Sequence, residues 1–261
     1  DIPSSVVDIG QAAFANAQGA ETVRLSSETI TLGSGCFNMI KTLKHIDFNV
    51  REGVSSDMVF GNSGQSGLTL KLSERVEKIG TKMFNGALGL SEAVLPQSLV
   101  SIGDGAFSGI SALTKIAIKS ANLEDLPESG AFATTSAKSV SVEIYGTVNR
   151  LPSNLFVNAA VKTVSFLGFT GSEELSLAER SFADVGADVT FPRLNKLVLE
   201  EYAFKDAQTK NLVFDADTSR IEIGAKSLAT ENGFKTSGVK INIMGKQIDA
   251  GTAEIKTPGD K

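Results

Sequence analysis

The chain has 261 residues, 41% of them hydrophobic and 21% charged, which is typical of a folded protein with a sizeable core. A net charge of −5 and scattered Lys and Arg residues argue against a nucleic-acid partner. No apolar run approaches the roughly 20 residues of a transmembrane helix, and the single cysteine, Cys36, excludes an intramolecular disulfide.

A phenylalanine recurs along the chain at steps of 22 to 26 residues. The positions are Phe14, Phe37, Phe60, Phe84, Phe107, Phe132, Phe156, Phe182 and Phe204, and Leu228 takes the tenth place. An aliphatic residue stands five positions before most of them, as Ile102 does before Phe107. Such repetition predicts a solenoid, in which each unit forms one coil stacked on its neighbour.

A short run of alternating apolar and polar residues follows most of these aromatic positions. In chain order the runs are 22–26 (TVRLS), 45–49 (HIDFN), 68–73 (LTLKLS), 115–119 (KIAIK), 140–145 (VSVEIY), 163–167 (TVSFL), 211–215 (NLVFD) and 240–244 (KINIM). Period-two alternation is typical of strands with one buried face. Two units fit less well: the run after Phe84 is 92–96 (EAVLP), and an insertion after Phe182 postpones the run to 196–200 (KLVLE).

The spacing of these runs restricts how the strands can pair. Strands about 24 residues apart are too close for full βαβ crossovers and too regular for hairpins, so successive strands are expected to pair in parallel. We therefore predict a mainly β repeat solenoid of about ten coils of about 24 residues over residues 1–249. Residues 250–261 break the repeat and are interpreted as a linker or capping tail.

Two glycine-containing stretches raise the question of ligand binding. The stretch 102–107, IGDGAF, could pass for part of a phosphate-binding loop. Glycines or small residues recur at the places of Gly103 and Gly105 in several units, and no helical pattern follows, so we interpret both as turn formers. The stretch 61–67, GNSGQSG, is predicted to be a loose edge loop, with a contact loop as the alternative.

The stretch 102–118, IGDGAFSGISALTKIAI, resembles the BspA-like leucine-rich repeat, whose unit runs L-x-x-I-G-x-x-A-F-x-x-C-x-x-L-x-x-I-x-L-P. The family's positions are occupied by Ile102, Gly103, Ala106, Phe107, Leu113, Ile116 and Ile118, while Ile110 replaces the frequent Cys. The resemblance is strongest over 79–118 and weak but in phase over 171–243. It implies a curved, leucine-rich-repeat-type solenoid on a bacterial or protist surface, with adhesion or protein recognition as its role.

Residues that usually carry hydrolytic chemistry are scarce. The single histidine, His45, alternates outward from Ile46 and Phe48 and is interpreted as an exposed surface residue. Cys36 stands beside the inward Phe37 and is interpreted as a small buried thiol. We therefore predict no catalytic residues, no metal site and no cofactor.

Carboxylates form pairs at 173–174 and 200–201, and Asp215, Asp217 and Ser219 have the spacing with which a calcium loop begins. The glycine and the closing Glu of such a loop are absent, so a solvated turn is favoured. Carboxylates could still converge across coils, as in a glycosidase. A carbohydrate-active β-solenoid enzyme therefore remains the third hypothesis for function.

The leading hypothesis is a non-enzymatic module that binds a protein through the outward side of its strands. The predicted face consists of Arg24, Asp47, Lys71, Val94, Ala117 and Glu143, with Tyr145 beside Glu143, and continues through Ser165, Val198, Val213 and Asn242. It combines a polar rim with an apolar centre, as protein contact patches do. The second hypothesis is a structural spacer of a larger surface protein.

The expected partner is a protein, such as a host or matrix surface protein, and the expected location is extracellular or at the cell surface. The N-terminal stretch DIPSSVVDIG lacks a charged and then apolar leader, so an exported form would have lost its signal. The sequence does not indicate which oligomeric state the protein adopts.

Overall fold

The chain winds into about 9 turns of a parallel β-solenoid, and no α-helix occurs in the part that the structure describes. The computed structural model describes residues 1–55, 57–126, 130–133, 139–183, 185–205, 207–209, 211–215, 217–224 and 227, together with the backbone of 240–243 and 246–249. The predicted column position at Leu228 and the predicted tail at 250–261 lie outside the described residues. The prediction of a mainly β repeat solenoid is confirmed.

Most coils contain two strands, one on each of two sides. The strands are β1 (Asp8–Ile9), β2 (Thr22–Leu32), β3 (His45–Ser55), β4 (Thr69–Leu72), β5 (Lys78–Ile79), β6 (Glu92–Leu95), β7 (Ser101–Ile102), β8 (Lys115–Ile118), β9 (Val140–Tyr145), β10 (Arg150–Leu151), β11 (Val161–Leu167), β12 (Glu174–Leu177), β13 (Val189–Thr190), β14 (Lys196–Leu199), β15 (Asn211–Val213), β16 (Arg220–Ile223), β17 (Lys240–Ile243) and β18 (Lys246–Asp249).

The strands predicted from the alternating runs form the first side, except that β13 takes the place of the run 196–200. It comprises the first halves of β2 and β3, then β4, β6, β8, β9, β11, β13, β15 and β17, and its outward surface is called the strand face below. The second side comprises β1, the second halves of β2 and β3, and then β5, β7, β10, β12, β14 and β16. Neighbouring strands pair in parallel, except that β18 pairs antiparallel with β17.

The phenylalanine column forms a continuous stack of nine rings inside the solenoid. Neighbouring ring centroids from Phe14 to Phe204 lie 5.2 to 6.2 Å apart. Phe107 in the middle is fully buried, whereas Phe14 at the first coil is 43% exposed. Full burial of such a ring contributes roughly 1.5–3 kcal/mol, so the predicted inward column is confirmed as a main element of the core.

The two glycines of the 102–107 stretch shape the backbone for different reasons. Gly105 has a φ of +57°, a left-handed conformation in which an L side chain is strained. Gly103 has no such φ, but a Cβ added there would meet the backbone N of Thr81 on the preceding coil at 2.3 Å. The interpretation of these glycines as turn formers is therefore confirmed. Close contact between coils is a second reason why position 103 requires a glycine.

The prediction that the run 196–200, after Phe182, lies on the first side of the solenoid is wrong. The run 196–200 forms β14, which pairs with β12 and β16 on the second side, while β13 takes the place on the first side. Val198 therefore does not lie on the strand face. The run 92–96, by contrast, contains an ordinary strand, β6, with Ala93 and Leu95 buried.

The glycine-rich stretch 61–67 is anchored at its centre. Ser63 is fully buried, and its hydroxyl donates to the carbonyl of Phe37 at 2.7 Å and accepts from the N–H of Ile40 at 3.1 Å. The exposed residues of the stretch are Asn62 and 65–67. The prediction of a loose loop is therefore wrong for the first half of the stretch, because a small polar side chain fixes it to the preceding coil.

Candidate protein-binding face

The charged ladder predicted on the first coils is present. Arg24 on β2 lies directly opposite Asp47 on β3, which in turn lies opposite Lys71 on β4. Adjacent strands lie about 4.8 Å apart, so the three side chains form a row of alternating charge. Arg24 forms its ion pair with Asp1, however, with its Nη1 at 3.0 Å from the Asp1 carboxylate.

A second group of charged side chains spans β6, β8 and β9. The ammonium of Lys115 lies 3.1 Å from the carboxylate of Glu92 on one side and 3.1 Å from that of Glu143 on the other. The Tyr145 hydroxyl donates to Glu143 Oε2 at 3.2 Å, and the Lys119 ammonium lies 5.4 Å from the Tyr145 ring centroid. These five residues are called the central cluster.

The contacts in the central cluster raise the pKa values of two of its members, Lys115 and Tyr145. Hydrogen bonds from Lys115 to Glu143 and Glu92 raise the pKa of that ammonium above its ordinary value. Desolvation, followed by the bond to Glu143, raises the pKa of the Tyr145 hydroxyl. Lys115 therefore stays a cation and Tyr145 stays a neutral hydrogen-bond donor.

Ala117 is outward but not accessible. Ile116 and Ile118 on either side of it belong to the core, so Ala117 faces the strand face, yet it is only 2% exposed. It lies in register between Val94 and Glu143. The expectation of an exposed apolar centre at Ala117 is therefore wrong, because a methyl group is shorter than the side chains that surround it.

The predicted face is divided into two groups. β4 pairs with β3, and β6 pairs with β8, but between β4 and β6 the described residues show one isolated bridge, from Leu68 to Leu90. The Arg24, Asp47 and Lys71 ladder thus lies on one sheet segment and the central cluster on another. Of the predicted residues, Glu143 and Tyr145 are in direct contact with each other.

Sequence reasoning missed three members of the central cluster: Glu92, Lys115 and Lys119. Each lies two positions along its strand or chain from a predicted outward residue, so the same period places it on the same side. Extending the outward pattern to both ends of each strand would have found them. Apart from Tyr145, the predicted face contains only the middle residue of each alternating run.

The residues considered for chemistry occupy ordinary structural places. His45 is exposed, and its Nδ1 lies 2.7 Å from the Thr69 hydroxyl. Cys36 is fully buried, and desolvation raises the pKa of its thiol to about 12. Within the described residues, no group of three or more His, Cys, Asp and Glu side chains is placed to hold a metal ion.

The carboxylates of the pairs 173–174 and 200–201, and that of Asp215, take part in local contacts. Glu173 accepts from the backbone N–H groups of Thr170 and Gly171, and Glu200 accepts from the Ser176 hydroxyl at 2.8 Å. Asp215 Oδ1 accepts from the N–H of Asp217 at 2.9 Å, as expected for a solvated turn.

The fold is that of a parallel repeat protein, and its repeat sequence identifies the family. Residues 1–66 and 56–172 match the BspA type leucine-rich repeat region, in 6 copies. The match covers more than half of the chain, which therefore belongs to the BspA-type leucine-rich repeat family. Later coils keep the parallel architecture beyond the matched residues.

Among solved structures, a leucine-rich repeat protein from Bacteroides ovatus is similar at 15% sequence identity. The alignment covers 87% of this chain and 68% of that one, with a TM-score of 0.43. No curated protein matches the chain.

Members of the BspA-type family are typically surface or secreted proteins and typically non-enzymatic, and leucine-rich repeat domains commonly mediate protein interactions. The described residues include no helix long and apolar enough to cross a membrane.

Proposed function

We propose that the chain is a non-enzymatic adhesion or protein-recognition module of a cell-surface or secreted protein. Its partner is a protein, such as a host or matrix surface protein, which docks on the strand face over the central cluster. The observation that supports this is the contact network of Glu92, Lys115, Glu143 and Tyr145 on three adjacent strands.

The network contributes little to folding, which is why a binding role is favoured for it. Ion pairs between exposed side chains typically contribute about 0–1 kcal/mol. The same contacts hold long side chains in fixed positions, and such pre-organisation lowers the entropy cost of binding. Tyr145 adds an aromatic ring to the network. Tyrosine, together with Trp and Arg, is enriched among binding hot spots.

The test is binding of the chain to a panel of purified extracellular matrix and cell-surface proteins by biolayer interferometry. For any partner found, Tyr145→Ala is expected to cost about 2 kcal/mol or more of binding free energy, and Glu143→Lys is expected to weaken binding further. Thr31→Lys is the matched control, because Thr31 is exposed on the second side.

Each outcome has a direct meaning. Loss of binding in the Tyr145 and Glu143 variants, with the control unchanged, supports the central cluster as the docking site. Unchanged binding in both variants would show that the docking site does not lie on the strand face. A chain that binds no protein of the panel, alone or within its full-length protein, would favour the structural spacer.

A further inference from the structure

Two apolar side chains lie side by side where β9 and β11 end. Tyr145 on β9 is directly opposite Leu167 on β11, and both point outward because Ile144 and Phe166 before them point inward. Leu167 is 37% exposed. The other exposed large apolar side chains in the described ranges all lie between residues 7 and 54. Leu167 is therefore a separate apolar contact point, on the later coils.

The residues that follow this pair carry no side chain that could cover it. Gly146 follows Tyr145, and a Cβ added there would meet the carbonyl oxygen of Gly168 at 2.4 Å. Gly168 follows Leu167 with a φ of +74°, and nothing lies within 4 Å of a Cβ at that position. The next residue, Phe169, is half-buried and packs edge-on against the Phe166 ring, with centroids 5.7 Å apart. The apolar pair is therefore open to solvent and continues into Phe169.

Two cations flank these apolar residues. The ammonium of Lys119 lies 5.4 Å from the centroid of the Tyr145 ring. The exposed Arg193 follows β13 and lies over Gly171, since its Cδ is 2.9 Å from the place that a Cβ of Gly171 would occupy. Across the residues that the structure describes, no carboxylate forms an ion pair with Lys119 or Arg193. Both cations can therefore pair with an anionic group of another molecule.

The neighbouring carboxylates are already engaged by donors of this chain. Glu143 lies 3.1 Å from the Lys115 ammonium and accepts from the Tyr145 hydroxyl at 3.2 Å. Glu173 accepts from the N–H groups of Thr170 at 2.9 Å and of Gly171 at 2.8 Å. These bonds direct both carboxylates toward groups of this chain, so the unpaired charges beside the apolar pair are positive.

We propose that Lys119, Tyr145, Leu167, Phe169 and Arg193, called the corner strip, bind an extended acidic segment of the partner protein. Tyr145, Leu167 and Phe169 would contact an apolar side chain of that segment, and the two cations would pair with carboxylates on either side of it. An apolar centre with a charged rim is the usual anatomy of a protein contact. The proposal rests on the protein-binding function above and adds the chemistry that the partner presents.

The strand spacing sets the pattern of the acidic segment. Lys119 follows β8, and β8, β9 and β11 are successive neighbours on the strand face. Adjacent strands lie about 4.8 Å apart, so Lys119 and Leu167 are separated by about 10 Å along the solenoid. An extended chain rises about 3.3 Å per residue. A carboxylate that pairs with Lys119 should therefore stand about three residues from the apolar residue that contacts Leu167.

The experiment selects binders from a random 12-residue peptide display library on the full chain and measures synthetic, terminally blocked peptides by fluorescence polarisation. Selected peptides are expected to carry Asp or Glu about three residues from a large apolar residue. Leu167→Ser is expected to weaken their binding about tenfold, because it removes the burial of a large aliphatic side chain. Val54→Ser is the matched control, since Val54 is 50% exposed but lies on the second side, and it should leave binding unchanged.

The charges are tested separately. Lys119→Glu and Arg193→Glu are each expected to weaken acidic peptides about tenfold and to favour peptides in which the acidic residue is replaced by Lys. Lys41→Glu is the control, because Lys41 is exposed in a turn of the second coil, away from the corner strip. Thermal unfolding of each variant confirms that it is folded.

The failures are distinguishable from failure of the proposed function. A partner or peptide that loses affinity with Tyr145→Ala, but not with the Leu167, Lys119 and Arg193 variants, would overturn the corner strip and leave docking on the strand face intact. Selection of basic peptides, or of none, would also overturn it, whereas the protein panel decides the proposed function independently. Concentration-dependent self-association that Leu167→Ser abolishes, measured by sedimentation velocity, would show that a second copy of the chain is the occupant.

Discussion

The ring of Phe107 stacks on the ring of Phe84 with centroids 5.2 Å apart, although 23 residues of chain separate the two positions. Both rings are fully buried. Each coil therefore places its aromatic side chain directly against those of its neighbours.

We expect Phe107→Ala to lower the free energy of unfolding by about 3–5 kcal/mol, because it removes a buried ring and leaves a cavity in the stack. Urea unfolding followed by circular dichroism measures the change. Phe14→Ala is the matched control and should cost no more than about 2 kcal/mol, since Phe14 is 43% exposed. Ser108→Ala should be near neutral, because the buried Ser108 hydroxyl has no hydrogen-bond partner among the described residues. Equal costs in all three variants would contradict the inward stack.

We expect Gly103→Ala to destabilise the protein by about 1–3 kcal/mol, as overpacking does. The added methyl group would meet the Thr81 backbone N at 2.3 Å, and backbone cannot rotate away as a flexible side chain can. Gly10 stands after Ile9 as Gly103 stands after Ile102, but nothing lies within 4 Å of a Cβ there. Gly10→Ala should therefore leave the unfolding midpoint unchanged. A comparable loss in both variants would show that the glycines act through turn conformation alone.

The Cys36 thiol is expected to be unreactive in the folded protein. Desolvation raises its pKa from 9.0 to about 12, so the reactive thiolate is scarce near neutral pH. A raised folded pKa means that this contribution to stability is complete below about pH 9 and is lost as the pH rises toward 12. Ellman's reagent at about pH 8 should label Cys36 only after guanidinium chloride unfolds the chain. Rapid labelling of the native protein would contradict the buried placement.

Asp125 is expected to contribute to stability in a pH-dependent way. Its two carboxylate oxygens lie 2.7 and 3.1 Å from the Arg150 guanidinium, and hydrogen bonding to Arg150 lowers the pKa of Asp125 below 3.8. A lowered folded pKa gives stability that is present above the unfolded value and lost as the pH falls through the folded one. The difference in Tm between the wild type and Asp125→Asn should therefore shrink as the pH falls below about 4. A constant difference would exclude the linkage.

The sequence predicts the inward stack and the register of the first side well, because both depend on strictly repeated residues. Residues equivalent to Phe107, Ile116 and Ile118 recur at regular intervals along the chain. The row from Arg24 to Lys71 follows from the same period. The second side was missed, because strands of two residues, such as Lys78–Ile79, are too short to show alternation.

The remaining errors have equally local causes. β13 has only two residues and shows no alternation, so the sequence indicates the alternating β14 in its place. The burial of Ala117 depends on the length of the neighbouring side chains. The period-two pattern predicts the direction of a side chain and not its accessibility. The register of β11 shifts between Val161 and Thr163, and β11 and β13 belong to separate sheets. Both features depend on hydrogen bonds between coils, which the residue pattern within one unit does not predict.

The stacking of one ring per coil also governs how such a chain can change in length during evolution. Duplication or deletion of a complete unit, such as residues 84–106, would leave each remaining ring a neighbour to contact. The side chains beyond the change would move by one strand spacing, about 4.8 Å, and keep their inward or outward direction. A gain or loss of a single residue would instead turn every later residue of that strand to the opposite side. Insertions and deletions of whole units are therefore the changes by which such a chain can lengthen or shorten its binding surface and keep its fold.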